Sequence, residues 1–243
     1  MVQKLDISYN HFIGNISSNL GGLASLEYLN LNKVILDLYS TFENWIPKFQ
    51  LQVHSLSSRV ETNSLPLPSF LYKLTYIDFT NCKLGGEFPN WLLENNPKMI
   101  NHVLKNSILD FSYNELTNTI DQDIIQDLSY EKLSILLLKG NYFIGNIPSQ
   151  LCQLMYLTIL DLSYNNFSSE IPTCLGKIPF ENISILAYMF GIDLSHNKLM
   201  GDIPSELRNL TFLTFEESNY KGNLFLCGLP LPKSCNSPCV ILP

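Results

Sequence analysis

The chain has 243 residues, enough for one domain or one short solenoid, and its 46% apolar content supports a continuous core rather than disorder. Its 15 basic and 22 acidic residues give a formal charge of −7, with Lys and Arg scattered singly, which excludes the basic stripe of a nucleic-acid partner. No stretch approaches the roughly 18 to 20 apolar residues of a membrane-spanning helix, and the N-terminus shows neither an apolar signal core nor a small-residue cleavage site.

A single short motif recurs along the chain. It opens at 5–10 as LDISYN, returns in weaker form at 29–34 (LNLNKV), and is faint around Leu56, where Arg59 holds its last place. Further copies stand at 77–82 (IDFTNC), 109–114 (LDFSYN), 136–141 (LLLKGN), 160–165 (LDLSYN) and 192–197 (IDLSHN), about eight units in all. The last places of successive units lie 24, 25, 23, 27 and 24 residues apart, apart from two steps of 32 (82 to 114 and 165 to 197) that mark insertions or scars.

Alternating leucines in L-x-L predict a short strand with one face buried, and stacked copies predict a parallel sheet lining a concave surface. The expected strands are 5–7, 29–31, 77–79, 109–111, 136–138, 160–162 and 192–194, side by side. Asn at the sixth place turns inward, because its side-chain amide both donates and accepts and so satisfies backbone groups that would otherwise be buried unpaired. The ladder so predicted is Asn10, Cys82, Asn114, Asn141, Asn165 and Asn197, with Cys82 as a ladder residue rather than a reactive thiol. A second signature, apolar-x-Gly-x-Ile-Pro, comes after it at 84–89, 143–148 and 199–204, and at 167–172 without its Gly. Its Pro ends an extended segment, and short helical or irregular stretches such as 149–154 and 205–210 form the convex side. The fold class is α/β, a solenoid with a concave parallel sheet.

Joined, these segments spell L-D-L-S-x-N-x-L-x-G-x-I-P-x-x-L-x-x-L, which resembles the leucine-rich repeat particular to plants. Three segments resemble the receptor-like proteins of that group: 68–95, 188–206 (YMFGIDLSHNKLMGDIPSE) and 221–235 (KGNLFLCGLPLPKSC), the last like their C-terminal cap. The organisation implied is repeats over 1–220, irregular around 35–70, 95–108 and 177–187, then cap and divergent tail over 221–243. Members of that family carry a signal peptide, a cysteine-paired N-terminal cap, an acidic spacer and a transmembrane helix, none of which is recognisable here. The chain is therefore expected to be a partial or degenerate product.

The cap resemblance implies a disulfide between Cys227 and Cys235 in an oxidising compartment. Cys152 and Cys174 fall on convex segments of adjacent repeats, but a 24-residue shift of Cys152 lands on Gly176, so periodicity leaves that pairing open; Cys239 has no evident partner. Sequons begin at Asn15, Asn166, Asn182 and Asn209, each expected on a loop or convex segment where secretion would allow a glycan. The column Asp6, Asp78, Asp110, Asp161 and Asp193 recurs in every good copy and reads as scaffold. Positions that vary between copies read as the concave recognition face: Tyr9, Lys33, Asn81, Tyr113, Lys139, Gly140, Tyr164 and His196.

Catalysis finds no support. The histidines, His11, His54, His102 and His196, fall in different repeats, no hydrolase or phosphate-loop pattern occurs, and the Cys spacings make no zinc pair, so no metal or cofactor is expected. What the resemblance implies is a non-catalytic binding region of a plant defence or developmental receptor at the extracellular face of the plasma membrane. It would take a peptide, glycan or protein ligand and signal through a co-receptor kinase facing 188–235. A secreted inhibitor of cell-wall hydrolases shares the repeat, and a truncated gene product without function is the third reading.

Overall fold

The computed structural model describes residues 1–15, 18–33, 35–37, 51, 53–55, 76–88, 107–122, 125, 133–177, 191–209 and 216–235. In chain order the strands are β1 (Lys4–Asp6), β2 (Ile13–Asn15), β3 (Tyr28–Asn30), β4 (Ile35–Asp37), β5 (Val53–Ser55), β6 (Tyr76–Asp78), β7 (Gly85–Gly86) and β8 (Ser107–Asp110). They continue as β9 (Glu115–Leu116), β10 (Leu133–Leu137), β11 (Ile144–Gly145), β12 (Ile159–Asp161), β13 (Asn166–Ser169), β14 (Gly191–Asp193), β15 (Lys198–Asp202) and β16 (Phe225–Cys227).

One parallel sheet takes β1, β3, β5, β6, β8, β10, β12 and β14 in that order, so each coil of the chain adds one strand beside the last. The register pairs the motif leucines: Leu5 with Leu29, Ile77 with Leu109, Leu109 with Leu136, Leu136 with Leu160, and Leu160 with Ile192. The seven expected strands therefore lie in one sheet, five of them one residue earlier than read, while β8 and β10 start two and three residues earlier and end one earlier. The faint unit supplies β5, whose His54 takes the leucine place between Leu29 and Ile77; Leu56 and Arg59 lie outside the described residues. So do residues 89–106 and 178–190 of the two long steps.

Behind the sheet, Leu29, Leu31, Leu136, Leu138, Leu160, Leu162 and Leu194 are fully buried, each such side chain contributing about 1.5 to 3 kcal/mol of transfer free energy. Phe79 and Phe111 meet at 5.6 Å between centroids, and Phe143 stacks on Phe167 at 6.0 Å, which carries the core from coil to coil.

The ladder closes the same coils from inside. Asn114 Oδ1 accepts the Cys82 and Leu84 amides at 2.9 and 3.0 Å, while its Nδ2 donates to Phe79 O and Phe111 O. Asn141 reaches back to Leu116 N and Phe111 O, Asn165 to Phe143 N and Leu138 O, and Asn197 to Phe167 N and Leu162 O. Asn10 bonds Ile7 O and Ser8 O of its own coil. Cys82 sits buried in the ladder place and, among the described cysteines, is the one outside a disulfide.

Sequence reasoning missed the second layer of strands. After each ladder residue the chain is extended again, giving the parallel pairs β2–β4 and β7–β9 and the four-stranded sheet β11–β13–β15–β16. The Gly of apolar-x-Gly lies on this layer with φ near +80° at Gly86, Gly145, Gly201 and Gly228, a region that favours glycine. Ser169 occupies the same place at φ +94°, a costly conformation for a residue with a Cβ.

On the convex side the expected helical stretches are 3₁₀ turns: Ser149–Gln153, Thr173–Lys177 and Ser205–Asn209. Each starts from the Ile-Pro step, the Pro carbonyl accepting the amide three residues on: Leu151 from Pro148, Leu175 from Pro172, Leu207 from Pro204, all at 3.1 Å. Gly176 allows two of these turns to touch, because a Cβ there would overlap the Glu206 backbone.

This packing has two measurable consequences. Asn165→Ala strands the Phe143 amide and the Leu138 carbonyl and should cost about 1 to 3 kcal/mol, while Asn166→Ala costs far less; equal shifts in chemical denaturation would contradict the assigned register. Ser169→Gly relieves the positive φ and should raise stability by roughly 1 kcal/mol, read as a higher thermal midpoint; a lower midpoint would show that the site carries no strain.

Candidate functional site

Because alternate side chains of a strand point to opposite faces, burying the motif leucine turns both its neighbours onto the concave surface. The preceding column reads Lys4, Tyr28, Tyr76, Ile108, Ile135, Ile159 and Gly191, with Val53 in register between the two tyrosines. Tyr28, Tyr76, Ile108, Ile135 and Ile159 are half-buried. This apolar and aromatic stripe was not singled out from sequence, although its signal is plain once the register is known: it is the residue before each motif leucine.

The other column, one residue after the leucine, reads Asp6, Asn30, Ser55, Asp78, Asp110, Leu137, Asp161 and Asp193. Its scaffold role is visible. Oδ1 of Asp6, Asp78, Asp110, Asp161 and Asp193 accepts the amide two residues on, at 2.9 to 3.1 Å, an Asx turn that ends the strand. Burial holds the Asp161 carboxyl above its ordinary range, with the Asp193 charge adding, against hydrogen bonds from Ser163 and the charge of Lys139. Burial and then the charges of Asp78 and Asp110 push the Tyr76 hydroxyl up to about 12.

The positions read as a concave recognition face follow the strand ends rather than standing on the strands themselves. Tyr9, Lys33, Asn81, Tyr113, Tyr164 and His196 all have φ between +53° and +58°, and Gly140 has +67°; each comes three residues after a strand's last residue, where the chain turns through the left-handed region. They pack from coil to coil. Lys33 Nζ stands 4.7 Å from the Tyr9 ring centroid, Tyr164 stacks on His196 at 4.2 Å, and Tyr113 and His196 cover Gly140 and Gly222, where a Cβ would meet the rings at 2.8 and 2.7 Å. Lys139 alone stands just beyond a concave strand, next to Leu137, with Nζ 5.3 Å from the Tyr164 centroid.

Cys152 and Cys174 are disulfide-bonded, joining adjacent convex turns with Cα atoms 5.8 Å apart, and Cys227 and Cys235 are bonded with Cα atoms 5.1 Å apart. Cys239 and Asn182 lie outside the described residues. Asn209 ends a convex turn, but Asn15 and Asn166 are strand residues of β2 and β13 rather than loop residues, a consequence of the unexpected second layer. Asn223, also missed, continues the ladder: its Oδ1 accepts the Leu199 amide at 3.0 Å, and its Nδ2 donates to Leu194 O and Tyr220 O. The signal was the KGN that 139–141 and 221–223 share.

A groove of about 900 Å³ runs along the flank, lined by residues including Glu87, Asn118, Asp121, Gln122, Asn146 and Glu170. Within it Asn118 Nδ2 donates to Glu87 Oε1 at 3.2 Å, and Gln122 Oε1 accepts from Gln150 Nε2 just outside it at 3.0 Å. Among the described residues no group of three His, Cys, Asp or Glu could hold a metal ion, and no helix is long and apolar enough to cross a membrane.

A family model described as Leucine Rich Repeat matches residues 1–23, 73–95, 156–178 and 191–210. Receptor-like protein 13 of Arabidopsis thaliana is 32% identical over 63% of this chain, and Cuscuta receptor 1 of Solanum lycopersicum is 34% identical over 94%. The chain spans 16% and 22% of the lengths of those two relatives. Among solved structures, the BIR3–SERK2 complex from Arabidopsis thaliana matches with a TM-score of 0.50 at 32% identity, over 64% of this chain and 70% of the other. Repeat sequence, coil geometry and relatives agree: the chain belongs to the leucine-rich-repeat receptor-like proteins of plants.

Proposed function

We propose that the chain is the ligand-binding repeat region of a cell-surface receptor, without catalytic activity of its own, acting in defence or developmental signalling through partner kinases. The observation that carries this is the concave sheet. Of its eight strands, five present a half-buried apolar or aromatic residue and five a carboxylate in the column beside it, with no element of the described chain packed over either. An extended ligand lying along the solenoid would touch several coils at once, which suits a peptide or a protein segment.

The C-terminal coils suit a second contact. Met200 pairs in register with Phe225, both are exposed, and Leu224 and Leu229 stand beside them at 78% and 58% exposure. An apolar end of this kind fits the co-receptor kinase implied for 188–235, and the solved likeness is itself a complex of two proteins, BIR3 and SERK2. Glycans on Asn15, Asn166, Asn182 or Asn209 belong to the same reading, since glycan transfer and disulfide formation both take place on the secretory route.

The test compares two faces. The chain is immobilised, exposed to a plant extracellular peptide fraction, and the retained species are quantified by mass spectrometry for wild type, Ile135→Arg on the concave stripe and Met155→Arg on the exposed convex side. Retention should fall at least tenfold for Ile135→Arg and stay within twofold for Met155→Arg, with both variants melting as cooperatively as wild type. Loss caused by the convex change alone would place recognition on the other face.

A further inference from the structure

The concave columns are not uniform, and the irregularity bears on what they would hold. Leu137 stands where the other well-formed units carry Asp, so the acidic row is interrupted at β10. With Ile108, Ile135 and Ile159 from the neighbouring column it forms an apolar bay, all four side chains half-buried. On one side stand Asp110 and then Asp78, and on the other Asp161 and then Asp193.

Each carboxylate has spent one oxygen on its turn. The second oxygen of Asp78 is also engaged, by Ser55 Oγ at 2.9 Å and Asn32 Nδ2 at 3.4 Å. Among the described residues no donor reaches Oδ2 of Asp110, Asp161 or Asp193. Among the described residues the charges beside the bay are thus four carboxylates against the cation of Lys139. Strand spacing of about 4.8 Å puts Asp110 and Asp161 roughly 10 Å apart across β10, the reach of three residues of extended chain.

We infer that the ligand is a peptide segment with an apolar side chain seated against Leu137 and a cationic side chain, Lys or Arg, on each side of it, three to four residues apart. This rests on the concave face being the ligand-binding face. The apolar side chain would cover Ile108, Ile135, Leu137 and Ile159, and the two cations would meet Oδ2 of Asp110 and Asp161. Desolvation that now disfavours the Asp161 charge would be offset by a cation brought to it. A uniformly acidic or uniformly polar ligand leaves either the bay or the carboxylates without a partner.

A library of random twelve-residue peptides displayed on phage, panned on the 243-residue chain, tests this. Enriched sequences should share a basic, apolar, basic pattern with the basic residues three to four apart. Synthetic copies should bind at least tenfold more weakly to Asp110→Asn/Asp161→Asn, whose amide oxygens still accept the turn amides of Ser112 and Ser163. If that variant does not fold, raising salt from 50 to 500 mM must weaken wild-type binding to the same degree. Peptides that depend on Ile135 but lack the pattern would overturn this inference and leave the concave-face reading standing. Peptides indifferent to Ile135→Arg would overturn both.

Discussion

A coil that returns to its starting direction every 24 or so residues must bury backbone amides and carbonyls at its inner corner, where no strand or helix pairs them. The ladder asparagine answers that constraint, and the rest of the solenoid depends on it. One amide group reaches two coils: Asn165 accepts from Phe143 N of the coil before and donates both there, to Leu138 O, and to Leu162 O of its own. The bonds fix the distance and the rotation between neighbours together. That the same pattern is met at Asn114, Asn141, Asn165, Asn197 and Asn223 explains why the sheet keeps its buried leucine or isoleucine in register from Ile77 to Ile192. Cys82 holds the place without an amide, and Asn114 of the next coil supplies the acceptor for its backbone.

Much of this was legible because the constraint acts at one residue per coil. L-x-L-x-x-N located the ends of the concave strands to within a residue, and even the faint unit, with His54 in its first place and Arg59 in its last, falls at a strand, since β3 and β6 on either side fix its register. Asn223 escaped notice because Tyr220 stands three residues before it where other units have Leu or Phe. The fold buries that ring fully, at a desolvation cost that pushes its hydroxyl well up.

The second layer was illegible for a different reason. Residues such as Gly85, Ile144 and Met200 carry no alternation, because these strands are only two to five residues long and are made by backbone pairing between coils that the ladder has already aligned. Glycine was the sole marker, and it marks a positive φ rather than a strand. The same blindness moved the candidate recognition residues: variation at Tyr9, Tyr113, Tyr164 and His196 signalled freedom from the core, but the Asx turn just before them ends the strand, so they follow the concave strands rather than standing on them.

Recurrence is usually taken to separate scaffold from recognition, a residue found in every copy being structural. The aspartate column shows why the two are not exclusive here. A carboxylate has two oxygens, and the turn consumes one of them, leaving the other aimed across the sheet. On the N-terminal coils, neighbours take the second oxygen, as Asn30 does for Asp6 at 3.2 Å and Ser55 does for Asp78 at 2.9 Å. At Asp110 and Asp161 the residues on either side in the row are Leu137 and further aspartates, which cannot donate while ionised. The scaffold thus makes a field of like charge across the C-terminal half of the concave face, with an apolar gap at Leu137. Repetition builds the charge, and the single departure from repetition gives it a pattern.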